Sequence, residues 1–457
     1  MSVSSIYSRF REGVNSGFGR QLQNIGHLMS GNIVNAAVML ISVAIAARAL
    51  GPFEYGVLVL ILSYGRVIER FLRFESWQPL IKFAADEEHA QSSSKPRMAR
   101  LYLYGLLLDT TSCALAAITS IGLFALIAPL FNLEARFFDF VAIYSIALLF
   151  NISGMPTAAL RLAGRFRTIA YCQIVANILR ALLALLCWYQ GYGLLGFVIV
   201  WTLSQIFSAS IFLFLGFRAL KDLHIPSPLV QSPRHLPRDF PGFFSFGLST
   251  NLSSSLRTLT QEADTLLVGM LAGPVPAGFY NLAKRMAKIA MQVGAHIQAV
   301  LYPDMARLWS RESFRKFRKM ILRIQIVMGA FGLFSLCGAW LLGNWAIGLA
   351  FGTQYSDAYP LLLTQLLAII FIMHASPSRS ALLAMGKPGI ILVVNFAATM
   401  IFFLLSFWLI PNFGPIGANI AHIGAGIVVA IALEIGWMHG LSKKLPNPRK
   451  TSPSHMT

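Results

Sequence analysis

The sequence predicts an all-α polytopic membrane protein of about twelve transmembrane helices in two six-helix halves, and three observations predict it. Of 457 residues, 56% are hydrophobic and 12% charged, with a mean hydropathy of +0.64, which leaves no soluble domain of any size. Apolar runs long enough to cross a bilayer recur from end to end. The second half of the chain also repeats the punctuation of the first.

The apolar runs cover 26–50, 53–81, 101–130, 137–160, 168–189, 193–217, 242–271, 276–303, 321–350, 358–384, 388–410 and 415–440. Ahead of them, residues 1–24 are polar and read as a cytoplasmic segment with no cleavable signal, either lying along the inner leaflet or free of it. The first two spans are joined by a tight connector, ARALGPFEYG at 47–56, where Arg48 beside Glu54 reads as an interfacial anchor or a tie to the connector. Asp109 lies about two turns into the third span, placed to cap a backbone or hold water. Pro156 in the fourth span removes a backbone hydrogen bond and predicts a kink. Arg180 in the fifth has no evident partner in sequence. Residues 221–241 are polar and proline-rich and divide a half at 25–220 from a half at 242–440, with a cytoplasmic tail at 441–457.

Charge placement orients the chain. Of 37 Lys and Arg, 27 fall at 1–24, 82–100, 161–167, 218–238, 305–323, 379–387 and 441–457, which share one side if the spans alternate; the opposite connectors carry only Arg48 and Arg136. Positive charge stays inside, so both termini are expected in the cytoplasm. The net charge of +19 then reflects topology and contact with anionic lipid, and nucleic acid is not an expected partner. Cys113, Cys172, Cys187 and Cys337 all lie in spans without metal or redox spacing.

The repeat has an offset of 221–222 residues. Gly51-Pro52 recurs as Gly273-Pro274, Pro156 as Pro377, ALRLAG at 159–164 as ALLAMG at 381–386, and Gly193 and Gly196 as Gly414 and Gly417. Six spans per half give both halves one orientation, so a pseudo-two-fold axis along the membrane normal and a site near the midplane are expected.

Ionisable side chains inside the spans mark where that site is built. Arg66, Glu69, Arg70 and Arg73 are spaced i, i+3, i+4, i+7 on one helix face. Arg66 lies about 20 Å along the helix from Phe53, inside hydrocarbon about 30 Å thick. A lipid-facing arginine there costs about 2.5–3.5 kcal/mol even on the lenient scale, so three should face a wet interior. The counterpart of Arg66 is Lys288, in a stripe with Asn281, Lys284, Arg285, Gln292 and His296; the seventh span adds Ser254, Arg257, Gln261, Glu262 and Asp264.

Ion pairing accounts for part of this, with Arg66 to Glu69, Glu69 to Arg73, and Glu262 or Asp264 to Lys284 or Lys288 all within reach. Beyond the 47–56 connector, spans two, seven and eight nevertheless hold seven basic residues (Arg66, Arg70, Arg73, Arg257, Lys284, Arg285, Lys288) against four acidic ones (Glu69, Glu75, Glu262, Asp264). A surplus of that sign suits a phosphate or diphosphate, whose oxygens accept charge-assisted bonds. Glu69, Glu262, Asp264 and His296 are the candidates for proton or sodium coupling. No nucleotide loop, serine elbow or metal-spaced cluster is present, so neither an enzyme nor a cofactor or metal site is expected.

Four stretches carry a resemblance: ARALGPFEYG at 47–56, FGTQYSDA at 351–358, AMGKPGIILVVN at 384–395 and LIPNFGPIGANIAHIGA at 409–425. Together they resemble the polysaccharide-transport branch of the multidrug/oligosaccharidyl-lipid/polysaccharide exporter superfamily, over nearly the whole chain. The resemblance implies a V-shaped bundle with a central lumen lined by spans one, two, seven and eight, fitting Arg66, Arg70, Arg257 and Lys288. It implies flipping of a polyprenyl diphosphate-linked oligosaccharide to the outer leaflet by alternating access, driven by an H+ or Na+ gradient or the membrane potential. A polysaccharide polymerase and a chain-length regulator are the protein partners it implies. Twelve spans rather than fourteen speak against the peptidoglycan-precursor branch. A drug/cation antiporter, which would favour an acidic cavity, and a non-transporting scaffold are the alternatives.

Overall fold

The computed structural model describes residues 17–89, 94–131 and 137–444, the side chains of 17–34, 88–89, 130–131, 253–254, 256–261 and 293–303 excepted. Apolar sequence with no strand-type alternation folds into thirteen long or paired helices. They are α1 (Gly17–Leu72), α2 (Trp77–His89), α3 (Lys95–Ile127), α4 (Phe138–Phe150), α5 (Gly154–Leu162), α6 (Phe166–Tyr189), α7 (Leu194–Asp222), α8 (Phe243–Ala272), α9 (Pro274–Ser310), α10 (Phe314–Phe351), α11 (Ala358–Ala384), α12 (Pro388–Phe413) and α13 (Pro415–Ser442). Among the described residues, nine candidate spans are long and apolar enough to cross a membrane. The first of them, Asn35–Glu87, contains 53 residues, about 80 Å of helix and enough for two crossings. The helices α8 and α9 have the length as well and carry the charged stripes.

Packing divides the chain into two compact units, one comprising His27–Asn281 with Gly348–Ser356, the other Leu282–Ile347 with Asp357 onward. The sequence halves are a division by repeat, and these units are a division by contact.

Repeated sequence takes repeated backbone. Gly51 sits at φ 71°, ψ 175° and Gly273 at φ 94°, ψ 177°, a region open to glycine alone, and each is followed by a proline that starts the next helical run. Gly164 and Gly386 end their helices at φ 70° and 71°. In both, the residue after the glycine donates its N–H back five positions, Arg165 to Leu160 and Lys387 to Leu382, closing the helix end.

Two spans of the first unit are broken where continuous helices were expected. The second span stops at Leu72 and restarts at Trp77; the fourth stops at Phe150 and restarts at Gly154. Pro156 therefore lies in the first turn of α5, where its missing N–H is no loss, and the break at 151–153 replaces the expected proline kink. Its repeat partner Pro377 lies inside the continuous α11. Below the breaks, Leu80, Tyr102, Met155, Leu160 and Phe243 are fully buried in one apolar cluster that also takes Ile225, Leu236 and Phe240 from the linker.

The short piece 348–356 is fixed within the first unit. Tyr355 donates its hydroxyl to the Ala47 carbonyl at 2.8 Å, and its ring meets Tyr55 and Phe279 edge-on at 6.0 and 5.7 Å. Arg48 donates to the carbonyls of Ala350, at 2.9 Å, and Leu349, a cation set against the negative end of α10. The tie expected of Arg48 thus runs to 349–350.

In the second unit α11 and α12 both pack on α13. Glu434 of α13 accepts from Gln325 of α10 and Ser378 of α11, each at 2.7 Å. Asn419 donates to the Leu361 carbonyl at 2.9 Å and to the Thr364 hydroxyl oxygen at 2.8 Å. Large exposed apolar side chains line α6, α10 and α12, among them Leu182, Phe334, Trp345 and Leu404, as hydrocarbon-facing surfaces require.

Candidate functional site

The break at 73–76 gathers the charges of the second span. Arg73 donates to Glu69 one turn earlier at 2.5 Å and pairs with Glu75. Arg70 donates to the same Glu75 oxygen at 2.9 Å. Asn151, from the break of the fourth span, donates to Glu69. Arg66 lies 3.1 Å from Glu262 of α8 and donates to Ser63 at 3.0 Å. The expected Arg66–Glu69 pairing is thus replaced: Glu69 serves Arg73, and Arg66 turns to α8. Glu69 pairs with Arg73 at helical i, i+4 spacing, and the Arg73 N–H still donates to the Glu69 carbonyl at 2.7 Å.

Neutral side chains stitch the break to α8. The Asn251 amide stands in for a backbone partner, accepting from the Glu75 N–H at 2.9 Å and donating to the Glu75 carbonyl at 3.3 Å. Ser255 donates to the Arg70 carbonyl at 2.8 Å, and Phe74 stacks on Phe244 at 5.7 Å. Non-helical backbone at this depth needs such substitutes, because hydrocarbon offers none. Between break and helix lies a cleft of about 110 Å³, lined by Arg70, Arg73, Asn251 and Ser255 together with Phe71 and Leu252.

Asp109 lies at the other side of the break. It is 1% exposed and accepts from the Ser76 N–H at 2.9 Å, the Ser76 hydroxyl at 2.8 Å and the Met155 N–H at 2.8 Å. The capping role expected of it is real, and it caps two helix starts at once. No room remains around it: a Cβ on Gly154 would stand 2.5 Å from its carboxylate.

The remaining expected residues are distributed as follows. Asp264 is buried and accepts from the Tyr280 hydroxyl at 3.0 Å. Lys284 and Arg285 are partly buried and Lys288 exposed, all on α9 in the second unit. The side chains of Arg257 and His296 lie outside the described residues. The basic residues named from sequence therefore fall four in the first unit and three in the second. Arg180 has partners after all, Ser204 at 2.9 Å and Asn177 at 3.2 Å, and Asn177 donates onward to Asn35 at 2.7 Å. Sequence reasoning missed Asn151, Asn251 and Ser76. The signal at hand was Asn151-Ile-Ser-Gly-Met-Pro, a helix-start pattern with proline inside the first turn.

Helices whose breaks converge on paired charges within a membrane fold are an arrangement for moving polar cargo. Comparison with known proteins points the same way. The Escherichia coli (strain K12) inner membrane protein YghQ is 27% identical over 344 residues, 75% of this chain and 95% of that one. The succinoglycan biosynthesis transport protein ExoT of Rhizobium meliloti (strain 1021) is 24% identical over 347 residues, 74% of this chain and 64% of that one. Among solved structures, the lipid II flippase MurJ in an inward closed conformation superposes with a TM-score of 0.70 at 14% identity, over 91% of this chain and 89% of that one. An inward-facing multidrug resistance transporter of the MATE family gives 0.65 at 13%, over 93% and 96%. These structures share the fold. A family model described as polysaccharide biosynthesis protein matches residues 45–360, and the chain belongs to that family of multi-pass membrane proteins.

Proposed function

We propose that this protein flips a polyprenyl diphosphate-linked oligosaccharide from the cytoplasmic to the outer leaflet of the inner membrane by alternating access, supplying repeat units for O-antigen, exopolysaccharide or capsule. The observation that carries the reading is the cationic stripe inside a membrane helix of a polysaccharide-biosynthesis chain. Between Pro274 and Pro303, α9 holds Lys284, Arg285 and Lys288 and no acidic residue, which suits a diphosphate. Relatives named for lipopolysaccharide, succinoglycan and capsular polysaccharide biosynthesis support the cargo class. Both termini in the cytoplasm, from the distribution of Lys and Arg, supports the direction. Arg66, Arg70, Arg73 and Arg257 are the first unit's own cations suited to a phosphate, the first three holding carboxylates. Glu69, Glu262 and Asp264 are the groups through which an H+ or Na+ gradient acts, and a polymerase with its chain-length regulator takes the delivered unit.

The test is flipping of a fluorescent polyprenyl diphosphate-linked oligosaccharide in liposomes, comparing wild type with Lys284→Ala, Lys288→Ala and Arg66→Ala at matched reconstitution. Loss of one charge-assisted contact removes about 1.5–3 kcal/mol, so each variant should slow at least about tenfold. Wild type that moves cationic dyes and leaves the lipid in place overturns the reading, as do variants that flip at the wild-type rate.

A further inference from the structure

Asp109 is a fully buried carboxylate whose hydrogen-bond donors, a hydroxyl and two backbone N–H groups, are all neutral. All three come from residues at the start of helical segments that resume after a break, two from Ser76 and one from Met155. Ser76 precedes α2 by one residue and Met155 is the second residue of α5. The segments α2 and α5 also pack on each other and on the start of α3, sharing the apolar cluster of Leu80, Met155 and Leu160. One carboxylate on a continuous helix therefore holds the joints of a two-helix block. We propose that Asp109 is a proton-binding site, and that its protonation releases the joint at 151–155 so that the α2–α5 block hinges against the outer parts of spans two and four.

The atom arrangement says which joint gives way. Oδ1 takes the Ser76 N–H, while Oδ2 takes both the Ser76 hydroxyl and the Met155 N–H. A proton taken from water adds to Oδ2 and makes it a donor, and the group goes from one negative charge to none. The Ser76 hydroxyl can turn round and accept, because its hydrogen rotates to suit. The Met155 N–H cannot turn, and faces an oxygen that has lost its charge and one lone pair. The bond at the start of α5 is thus the one that weakens. Gly154 keeps the carboxylate against this joint, since any side chain there would occupy its place.

The charged and titratable groups facing Asp109 leave it as the switching group. From the end of α1 and the break come Arg73 and its partners Glu69 and Glu75, already joined as ion pairs. On α3 itself, one turn on, is Cys113. The 151–157 stretch carries no titratable side chain. The cation of α5, Arg161, lies over the Trp77 ring at 4.1 Å, and Lys82 of α2 over Phe246 at 4.4 Å. Asp139, the acid of α4, is at the far end of its helix from Asn151.

Only the transport consequence, coupling of the hinge to a proton gradient, rests on the flippase reading. Hydrogen exchange of the full chain in lipid nanodiscs tests the hinge without transport, so its failure is separate from failure of that reading. Peptides covering 74–80 and 152–158 are followed from pH 5 to pH 9, with chemical exchange corrected. The wild type should lose protection in 152–158 by about tenfold as pH falls, roughly one hydrogen bond to a charged group, with less change at 74–80. Asp109→Asn, which carries no charge at any pH, should show the low-pH exchange at every pH. Ser76→Ala removes a donor to the ionised form and should move the wild-type midpoint to higher pH, which keeps the test alive if the asparagine variant fails to accumulate. A flat wild-type profile, a pH dependence that survives Asp109→Asn, or an unmoved midpoint in Ser76→Ala each overturns the proposal.

Discussion

Gly154→Ala should destabilise this protein more than its single methyl suggests. A Cβ there would lie 2.5 Å from Asp109 Oδ2, 2.5 Å from the Ser76 amide nitrogen and 2.6 Å from Asp109 Oδ1. None of these is the tip of a flexible side chain: one is backbone, and the carboxylate is held by three donors. The methyl must push Asp109 from the joint or lift α5 off α3. Overpacking costs about 1–3 kcal/mol, and losing one hydrogen bond to an ionised carboxylate adds about 1.5–3 kcal/mol. The sum, about 2.5–6 kcal/mol, lowers the melting temperature by at least about 5 °C in a folding unit of this size. The control is Gly338→Ala on α10, where nothing lies within 4 Å of the new methyl; there alanine should be neutral or stabilise by about 0.5–1 kcal/mol through its better helix propensity. Thermal unfolding in one detergent, followed by tryptophan fluorescence, compares the two. If Gly154→Ala melts with the wild type, the close packing around Asp109 is wrong and so is the argument that it caps both breaks.

Two further outcomes can be checked in the same assay. Tyr355→Phe keeps the rings against Tyr55 and Phe279 and removes only the hydroxyl bonded to Ala47, so it should lose about 1 kcal/mol and melt about 2–4 °C lower; a larger fall would mean that the aromatic packing had shifted too. The Arg66–Glu262 pair has side chains 32% and 25% exposed, so Glu262→Gln should lose about 1 kcal/mol rather than the several of a dry ion pair. Combining it with Arg66→Gln should cost less than the two single changes added, and strict additivity in that double-mutant cycle would show the pair is not coupled.

Span-length apolar runs and the glycine-proline repeat were readable because both are local. A run of twenty apolar residues needs no partner to declare itself, and Gly51 and Gly273 share a backbone region that their sequence alone demands. The breaks were not readable from hydropathy. Arg-Phe-Glu-Ser at 73–76 lies inside an otherwise apolar span, and what makes it non-helical is tertiary: Asn251, 176 residues away, satisfies both backbone groups of Glu75. Helix periodicity gave the Glu69–Arg73 pair correctly, yet it could not give Arg66 its partner. Glu262 reaches Arg66 from a helix almost 200 positions later, and spacing rules extend only one turn.

The distribution of charge separates two tasks that a tally over three spans runs together. In sequence, beyond the 47–56 connector, spans two and seven carry four basic residues, Arg66, Arg70, Arg73 and Arg257, and four acidic ones, Glu69, Glu75, Glu262 and Asp264. The whole surplus of three is Lys284, Arg285 and Lys288 on α9. Drawing in an anion, the task proposed for this protein, takes net charge, and α9 carries a surplus in sequence on a continuous helix. A joint inside a membrane takes the opposite composition, since a charge exposed as the joint moves must find a new partner at once or pay several kcal/mol for desolvation. Arg73 shared between Glu69 and Glu75, and Glu75 shared between Arg70 and Arg73, meet that need: each group keeps one partner while it releases another. A balanced network of this kind suits a joint that moves, so removing any one of its members should slow flipping of the labelled lipid in the liposome assay.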